Sequence, residues 1–318
     1  MLALRIAESG AAPALQDIPR PVPGPGQILV RNRACGLNFA DLLMQKGTYQ
    51  DTPKPPFTLG MEVAGEVVET GEGVENLSPG ARIAVYSGQG GLAEYGVFEA
   101  DRAVPLPDGL SYEQGAALPI AYGTTQLALD HRARLQPGET LLVTGAAGGV
   151  GLTAVEVGKL MGAKVIAQAR GSEKLEVAAR AGADHLIDAD EDLRARVLEL
   201  GGADVVYDAI GGDVFKEAFR ATNPEGRLLP IGFAGGAVPQ IPANHLLVKN
   251  LTVIGVYIGG YLKFRPDILR ACFATVFGWA AEGRISPHIS HSLPLDRAVE
   301  GMELLRARKS TGKVVITI

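Results

Sequence analysis

The stretch Leu141-Leu142-Val143-Thr144-Gly145-Ala146-Ala147-Gly148-Gly149-Val150-Gly151 constrains the fold of this chain more than any other. An apolar strand runs into a glycine-dense turn, and the turn opens a helix expected over residues 150–161. A strand that turns this sharply into a helix lets the backbone approach a ligand with no side chain in the way. It also presents free N–H groups and the positive end of the helix dipole, the arrangement that holds a pyrophosphate. Residues 146–151 align with G-x-G-x-x-G, with Ala146 in place of the first glycine. A lone fingerprint is weak; its position between a strand and a helix at the start of a βαβ unit gives it meaning. Ala147, Gly148, Gly149 and Val150 are therefore the expected phosphate contacts, against the plainer reading of a tight turn.

The flanking pattern supports that unit. Strands are expected at 140–144, 164–169, 184–187, 204–207, 227–231 and 251–257, with helices at 150–161, 172–181, 192–200 and 214–221. Unalternated apolar strands between helices predict a parallel sheet covered on both faces. Residues 1 to about 117 read differently, as short strands at 2–7, 28–34, 62–68, 81–86 and 93–98 between Gly and Pro. In 28–34, Ile28, Val30 and Ala34 share one face and Arg31 and Arg33 the other, the period of a half-buried strand. One short helix is expected at 38–46, with Asn38 as N-cap and Gly47 past its end. The C-terminal part reads as helices at 266–281 and 296–307 and a last strand at 313–318.

The end of the second strand of the βαβ unit selects the nucleotide. A site for NAD places an acid about 20 residues on, where it binds the ribose hydroxyls. Here Ala169 holds that place, and Arg170, Ser172 and Lys174 follow, two cations and a hydroxyl suited to a 2′-phosphate. That pattern favours NADPH. The alternative is that Arg170 and Lys174 are surface charges, although a cation at a helix start works against the dipole. Asp188 follows the third strand and opposes a phosphate.

Composition excludes several classes. With 30 Lys and Arg against 35 Asp and Glu, the net charge of −5 argues against a nucleic-acid partner, which needs a basic face. Two cysteines, Cys35 and Cys272, cannot build a four-cysteine metal site or a disulfide framework. No signal-peptide pattern opens the sequence, and no apolar run reaches the roughly 20 residues of a membrane helix. The expectation is a soluble cytoplasmic protein with no membrane partner.

Taken together, the motifs resemble the zinc-free, ζ-crystallin-like quinone oxidoreductases of the medium-chain dehydrogenase/reductase superfamily. The resemblance spans the chain and rests on Gly36-Leu37-Asn38-Phe39-Ala40-Asp41, Gly47-Thr48-Tyr49, residues 56–65, Ala117-Leu118-Pro119, Tyr122-Gly123-Thr124, residues 145–151, Asp208-Ala209-Ile210-Gly211-Gly212 and Thr311-Gly312-Lys313. It implies an α/β architecture in two domains. A GroES-like β-rich catalytic domain covers 1–120 and is completed by 260–318, a Rossmann NADPH-binding domain covers 121–259, and a cleft lies where they meet. Zinc relatives carry cysteine where Asn38 stands and histidine where Met61 stands, and Asn and Met are poor zinc ligands. The five histidines show no ligand spacing and read as structural or surface residues.

The resemblance also implies site residues. Asn38 lies at the nicotinamide and substrate edge, and helix capping is compatible with that. Tyr49 either donates its hydroxyl to a substrate carbonyl or packs as a loop aromatic. Thr124 or Thr125 faces the nicotinamide amide. Gly211 and the loop Gly232-Phe233-Ala234 follow sheet strands, and Val256 and Tyr257 stand beside the nicotinamide or substrate. Lys313 lies near the cofactor phosphates or is a solvent lysine, and Asp41 is an anchor and not an acid. The implied function is metal-independent hydride transfer from NADPH to a quinone. Alternatives are an enoyl or acrylate-type C=C reductase acting on an enone, and a non-catalytic crystallin-like nucleotide-gated or RNA-binding protein. The strand 251–257 is expected to pair across a homodimer, because an open apolar edge aggregates.

Overall fold

The computed structural model describes all 318 residues. The chain divides into two compact units, Met1–Ile120 with Phe273–Ile318, and Ala121–Cys272. The return to the first unit thus lies at 272/273, inside a helix, and not near 260 as the resemblance implies.

The first unit begins with strands β1 (Leu2–Ile6), β2 (Ala14–Asp17) and β3 (Gln27–Leu37), then helix α1 (Phe39–Gln45). Strands β4 (Phe57–Thr58), β5 (Glu62–Thr70), β6 (Arg82–Tyr86), β7 (Tyr95–Glu99) and β8 (Ala103–Pro105) follow, and helix α2 (Tyr112–Ala117) closes this part. Strands β2-β1-β4 form a small sheet. The long strand β3 pairs antiparallel with β5 and β7, β5 with β6, and β6 with β8. Ile28, Val30, Val63, Val67, Ile83, Val85 and Phe98 make one core cluster. The alternation expected in β3 holds from Val30 to Ala34: Arg31 is exposed and Arg33 half-buried, while Val30, Asn32 and Ala34 are buried. The polar side chain on that buried face is satisfied: the Asn32 amide donates to the Ala93 carbonyl at 2.8 Å. Helix α2 has no counterpart among the expected elements; Ser111 caps it, accepting from the Gln114 N–H at 3.2 Å.

The second unit opens with helix α3 (Ala121–Gln126), which runs on as a π-turn over Leu127–Arg132. Then come β9 (Thr140–Thr144), α4 (Gly149–Leu160), β10 (Lys164–Ala169), α5 (Ser172–Arg180), β11 (His185–Asp188), α6 (Leu193–Glu199), β12 (Ala203–Asp208), α7 (Gly212–Ala221) and β13 (Thr222–Pro230). Helix α8 (Ala243–Lys249), strand β14 (Thr252–Val253) and helix α9 (Ile258–Phe264) complete it. The sheet is parallel with the order β11-β10-β9-β12-β13-β14, the doubly wound 3-2-1-4-5-6 arrangement. Leu141, Leu142 and Val143 are buried on both faces, which is why β9 shows no alternation.

The expected strand 251–257 is the main correction. Only Thr252 and Val253 pair with β13, opposite Arg227 and Leu228. Beyond the Ile254 N–H, which donates to the Leu228 carbonyl at 2.8 Å, the chain leaves the ladder at Gly255 and caps α9 with Tyr257. Helices α8 and α9 are also additions to the expected pattern, because seven residues are too few for a clear helical period.

Helix α10 (Pro266–Ala281) carries the chain across 272/273, and β15 (Ile289–Pro294), α11 (Ala298–Arg306) and β16 (Lys313–Thr317) finish the first unit. Strand β16 runs parallel to β15 and antiparallel to β3, so it joins the large sheet on the far side of β3. No helix is long and apolar enough to cross a membrane.

Candidate active site

Three neighbouring strands of the first unit bring together residues far apart in sequence. The register sets Gly36 of β3 opposite Glu62 of β5, and Leu37 opposite Val314 of β16. Asn38, just past β3, therefore meets Glu62 and Lys313, each the first residue of its strand. The Lys313 ammonium donates to Glu62 Oε1 at 2.6 Å, to Asn38 Oδ1 at 2.9 Å and to the Leu37 carbonyl at 2.9 Å. Asn38 Nδ2 donates to Glu62 Oε1 at 2.8 Å and to the Gly36 carbonyl at 3.3 Å, and the Ile120 N–H donates to Glu62 Oε2 at 2.7 Å. Lys313 is 3% exposed and Glu62 0%. The phosphate-side position expected for Lys313 is thus corrected: all three of its donors are engaged inside the first unit.

Asp41 anchors, as expected. Its carboxylate accepts from the Asn38 N–H at 2.8 Å, the returning half of a capping box, and from the Gly60 N–H at 3.3 Å. Burial pushes its carboxyl up to about 7, although those two N–H groups and Lys313 favour the anion. Burial, with Asp41 and Glu62 nearby, raises the Cys35 thiol well above its ordinary range, so it is not a ready nucleophile. Tyr49 is half-buried in the loop after α1 and hydrogen-bonds Tyr86 on β6, directly opposite Glu62 in the ladder. Burial first, then Tyr49 and Asp51, push the Tyr86 hydroxyl far above its usual value. Sequence reasoning missed Tyr86, since a strand tyrosine carries no signal of the loop that will lie over it.

The nucleotide half belongs to the second unit. After β9, Gly145 takes a φ of +65°, and Gly148 is the N-cap of α4 with no side chain to cap it. A Cβ on Gly151 would lie 2.2 Å from the Gly145 carbonyl oxygen, so only glycine permits this close turn. The N–H groups of Gly149, Val150 and Gly151 form the first turn and have no intrahelical acceptor. Gly148 is exposed, while Ala146 and Ala147 are buried under the turn. The loop is tied down by the Ala146 N–H donating to the Gln168 carbonyl at 2.9 Å. These residues fit a pyrophosphate: the first-turn N–H groups of α4 open beside an exposed glycine that carries no side chain.

Beyond β10, Arg170 and Ser172 are exposed and Lys174 is half-buried. Asp188 accepts from the Gly171 N–H at 2.9 Å and the Asp190 N–H at 3.1 Å, so it shapes the very turn that carries Arg170 and Ser172. Thr125 is buried, its Oγ1 2.7 Å from Thr153 Oγ1 and 3.0 Å from Tyr207 Oη. Its hydroxyl ties α3 to α4 and β12, so Thr124 remains of the expected pair. Asp208, at the end of β12, accepts from the Gly211 N–H at 2.8 Å and from the Thr144 hydroxyl. Its carbonyl takes the Ile231 and Gly232 N–H groups, and one residue thereby sets both loops carrying Gly211 and Gly232-Phe233-Ala234. Burial raises its carboxyl above the ordinary value. Val256 is half-buried, and the Tyr257 ring lies back over Gly259.

The positions expected to distinguish metal-free from zinc chemistry are now filled in space. Asn38 is held by Lys313 and Glu62, Met61 is buried, and no group of three or more His, Cys, Asp or Glu side chains could hold a metal ion. His131 packs edge-on to Tyr261, His245 stacks on Phe219, and His288 pairs with Thr311.

Comparison with known proteins agrees with this architecture. The family model described as alcohol dehydrogenase GroES-like domain matches residues 24–108, and that described as zinc-binding dehydrogenase matches residues 149–274. A quinone oxidoreductase-like protein 2 homolog of Nematostella vectensis is 44% identical over 300 residues, 92% of this chain and 82% of the relative. A quinone oxidoreductase of Pseudomonas aeruginosa is 37% identical over 300 residues, 92% of each. The quinone oxidoreductase of Thermus thermophilus, solved also in complex with NADPH, superposes with a TM-score of 0.89 at 33% identity over 100% of both chains. That of Escherichia coli, complexed with NADPH, gives 0.90 at 29% identity over 100% of this chain and 99% of its own. The chain belongs to the zinc-free quinone oxidoreductase family of the medium-chain dehydrogenase/reductase superfamily.

Proposed function

We propose that this protein is a zinc-independent NADPH:quinone oxidoreductase. The observation that carries the reading is the uncapped N-terminus of α4, open behind Gly148, followed at the end of β10 by exposed Arg170 and Ser172 in place of an acid. When bound, NADPH supplies a hydride. The residues of this chain do the rest. The N–H groups of Gly149, Val150 and Gly151 hold the pyrophosphate, and Arg170, Ser172 and Lys174 hold the 2′-phosphate through charge-assisted hydrogen bonds. Thr124, Gly211, Gly232, Phe233, Ala234 and Val256 orient the nicotinamide end, and Tyr257 bounds the substrate. In the first unit Tyr49, held by Tyr86, would donate a hydrogen bond to a quinone oxygen. Quinones suit a site without a metal because the ring delocalises added negative charge.

The test is NADPH consumption with 1,4-benzoquinone, a bulky naphthoquinone and a simple enone. Turnover with the quinones is expected. Turnover with the enone alone would move the assignment to C=C reduction.

We also propose a cytoplasmic homodimer built on the β14 edge of the second unit. Supporting it, β14 is the last strand of its sheet, and on α8 beside it Leu247 and Val248 are each 79% exposed.

A further inference from the structure

The polar cluster of the first unit carries more than a structural ion pair. An ammonium has three N–H donors, and those of Lys313 meet three oxygens, at 2.6 Å on Glu62, 2.9 Å on Asn38 and 2.9 Å on Leu37. An asparagine amide has two N–H donors, and those of Asn38 meet Glu62 at 2.8 Å and Gly36 at 3.3 Å. Turning the amide over would set its NH2 against the ammonium and its oxygen against the carboxylate, replacing two attractions with two repulsions. Both charges are buried, where such terms are weakly screened, so one orientation is imposed.

We propose that Lys313 is a positioning residue: its ammonium, paired with Glu62, locks the Asn38 amide with both N–H groups engaged, so that Asn38 offers a ligand an acceptor and no donor. The consequence is chemical. The carbonyl oxygens of a quinone only accept, so Asn38 has nothing to give them. It can receive a hydrogen bond from a hydroxyl or an amide NH2, groups found on the nucleotide and on a hydroquinone. The donor to the substrate oxygen is then Tyr49. This rests on the reading of Asn38 as part of a quinone reductase site.

The experiment uses the full chain, labelled with 15N-asparagine. The Asn38 side-chain amide signals are assigned by their loss in Asn38→Ala. In the wild type both amide protons should exchange slowly with water, and in Lys313→Met they should exchange fast. Lys313→Met should also lower the melting temperature by about 6 °C or more, because a buried carboxylate is left unpaired. The double variant Lys313→Met/Glu62→Gln has no buried charge and should recover most of that loss. It should nevertheless keep the fast amide exchange and a quinone kcat about tenfold below wild type, with quinone KM within about twofold.

Recovery of both melting temperature and kcat in the double variant would make Lys313 merely structural and overturn the proposal. Unchanged amide exchange in Lys313→Met would do the same. If Lys313→Met does not fold, the neutral double variant supplies the exchange comparison. If the wild type turns over no quinone, the functional reading fails, and amide exchange still judges the clamp on Asn38.

Discussion

Arg170 stands exposed at the end of β10, one residue past the place where an acid would select NADH, on a turn held by Asp188. A charge-assisted hydrogen bond to a 2′-phosphate contributes roughly 1.5–3 kcal/mol before screening. Arg170→Ala should raise the KM for NADPH by about tenfold, leave that for NADH within about twofold, and lose part of its effect in high salt. Steady-state kinetics with both nucleotides at two ionic strengths check this; equal losses with NADH would count against a phosphate contact. Asp41 makes a second prediction at this scale. Its folded pKa of about 7 lies above the ordinary value of 3.8, so the folded chain holds a proton that the unfolded chain has released. The associated stability is fully present below pH 3.8 and is lost as the pH rises through 7. At about 1.4 kcal/mol per unit, Asp41→Asn should gain about 2–3 kcal/mol on the wild type between pH 5 and 7. Urea unfolding at both pH values measures the difference; a constant offset would show that Asp41 does not titrate there.

At the scale of elements, the turn from β9 into α4 leaves no room for a side chain at Gly151. Gly151→Val should abolish NADPH binding, read by fluorescence titration. The first unit should keep its fold, as judged by near-ultraviolet circular dichroism and by unchanged amide exchange of Asn38. Strand β14 pairs over only two residues, so a dimer at this edge must draw on the exposed side chains of α8 as well as on backbone pairing. Leu247→Glu/Val248→Glu should convert the proposed dimer to a monomer in sedimentation velocity, with NADPH affinity changed by less than about twofold. A dimer that survives both charges lies elsewhere on the surface.

Taken whole, the molecule places its chemistry on residues that do not recruit a metal. Where zinc relatives carry Cys and His, Asn38 is held by a lysine and a glutamate, and Met61 is buried. A thioether and an amide are weak ligands for Zn²⁺, and a neighbouring ammonium repels it. Purified protein should contain far less than one zinc per chain, and a chelator should leave turnover and melting temperature unchanged. Stoichiometric zinc required for turnover would contradict this.

Local signals were legible in the sequence wherever the physics is local. The glycine turn, the parallel strands β9 to β13, the Asn38–Asp41 helix start and the absence of an acid at Ala169 each follow from a few adjacent residues. The structure kept them within a residue or two, except that β13 begins five residues early, at Thr222. The misses share another cause. Thr125 looked available to a nicotinamide until β12 brought Tyr207 within 3.0 Å of its hydroxyl. The strand expected at 251–257 had the right composition but lost its partner after Ile254, because pairing is decided by the neighbouring strand. The family resemblance implies a place near the cofactor phosphates for Lys313, and no adjacent residue in the sequence marks its real partner. Strand β16 pairs with β3, which also pairs with β5, and β5 begins with Glu62, 251 residues away. Backbone propensity and glycine sterics act over a few residues and can be read from the chain. Which carboxylate meets which ammonium is set by strand order and register, and those exist only in the folded molecule.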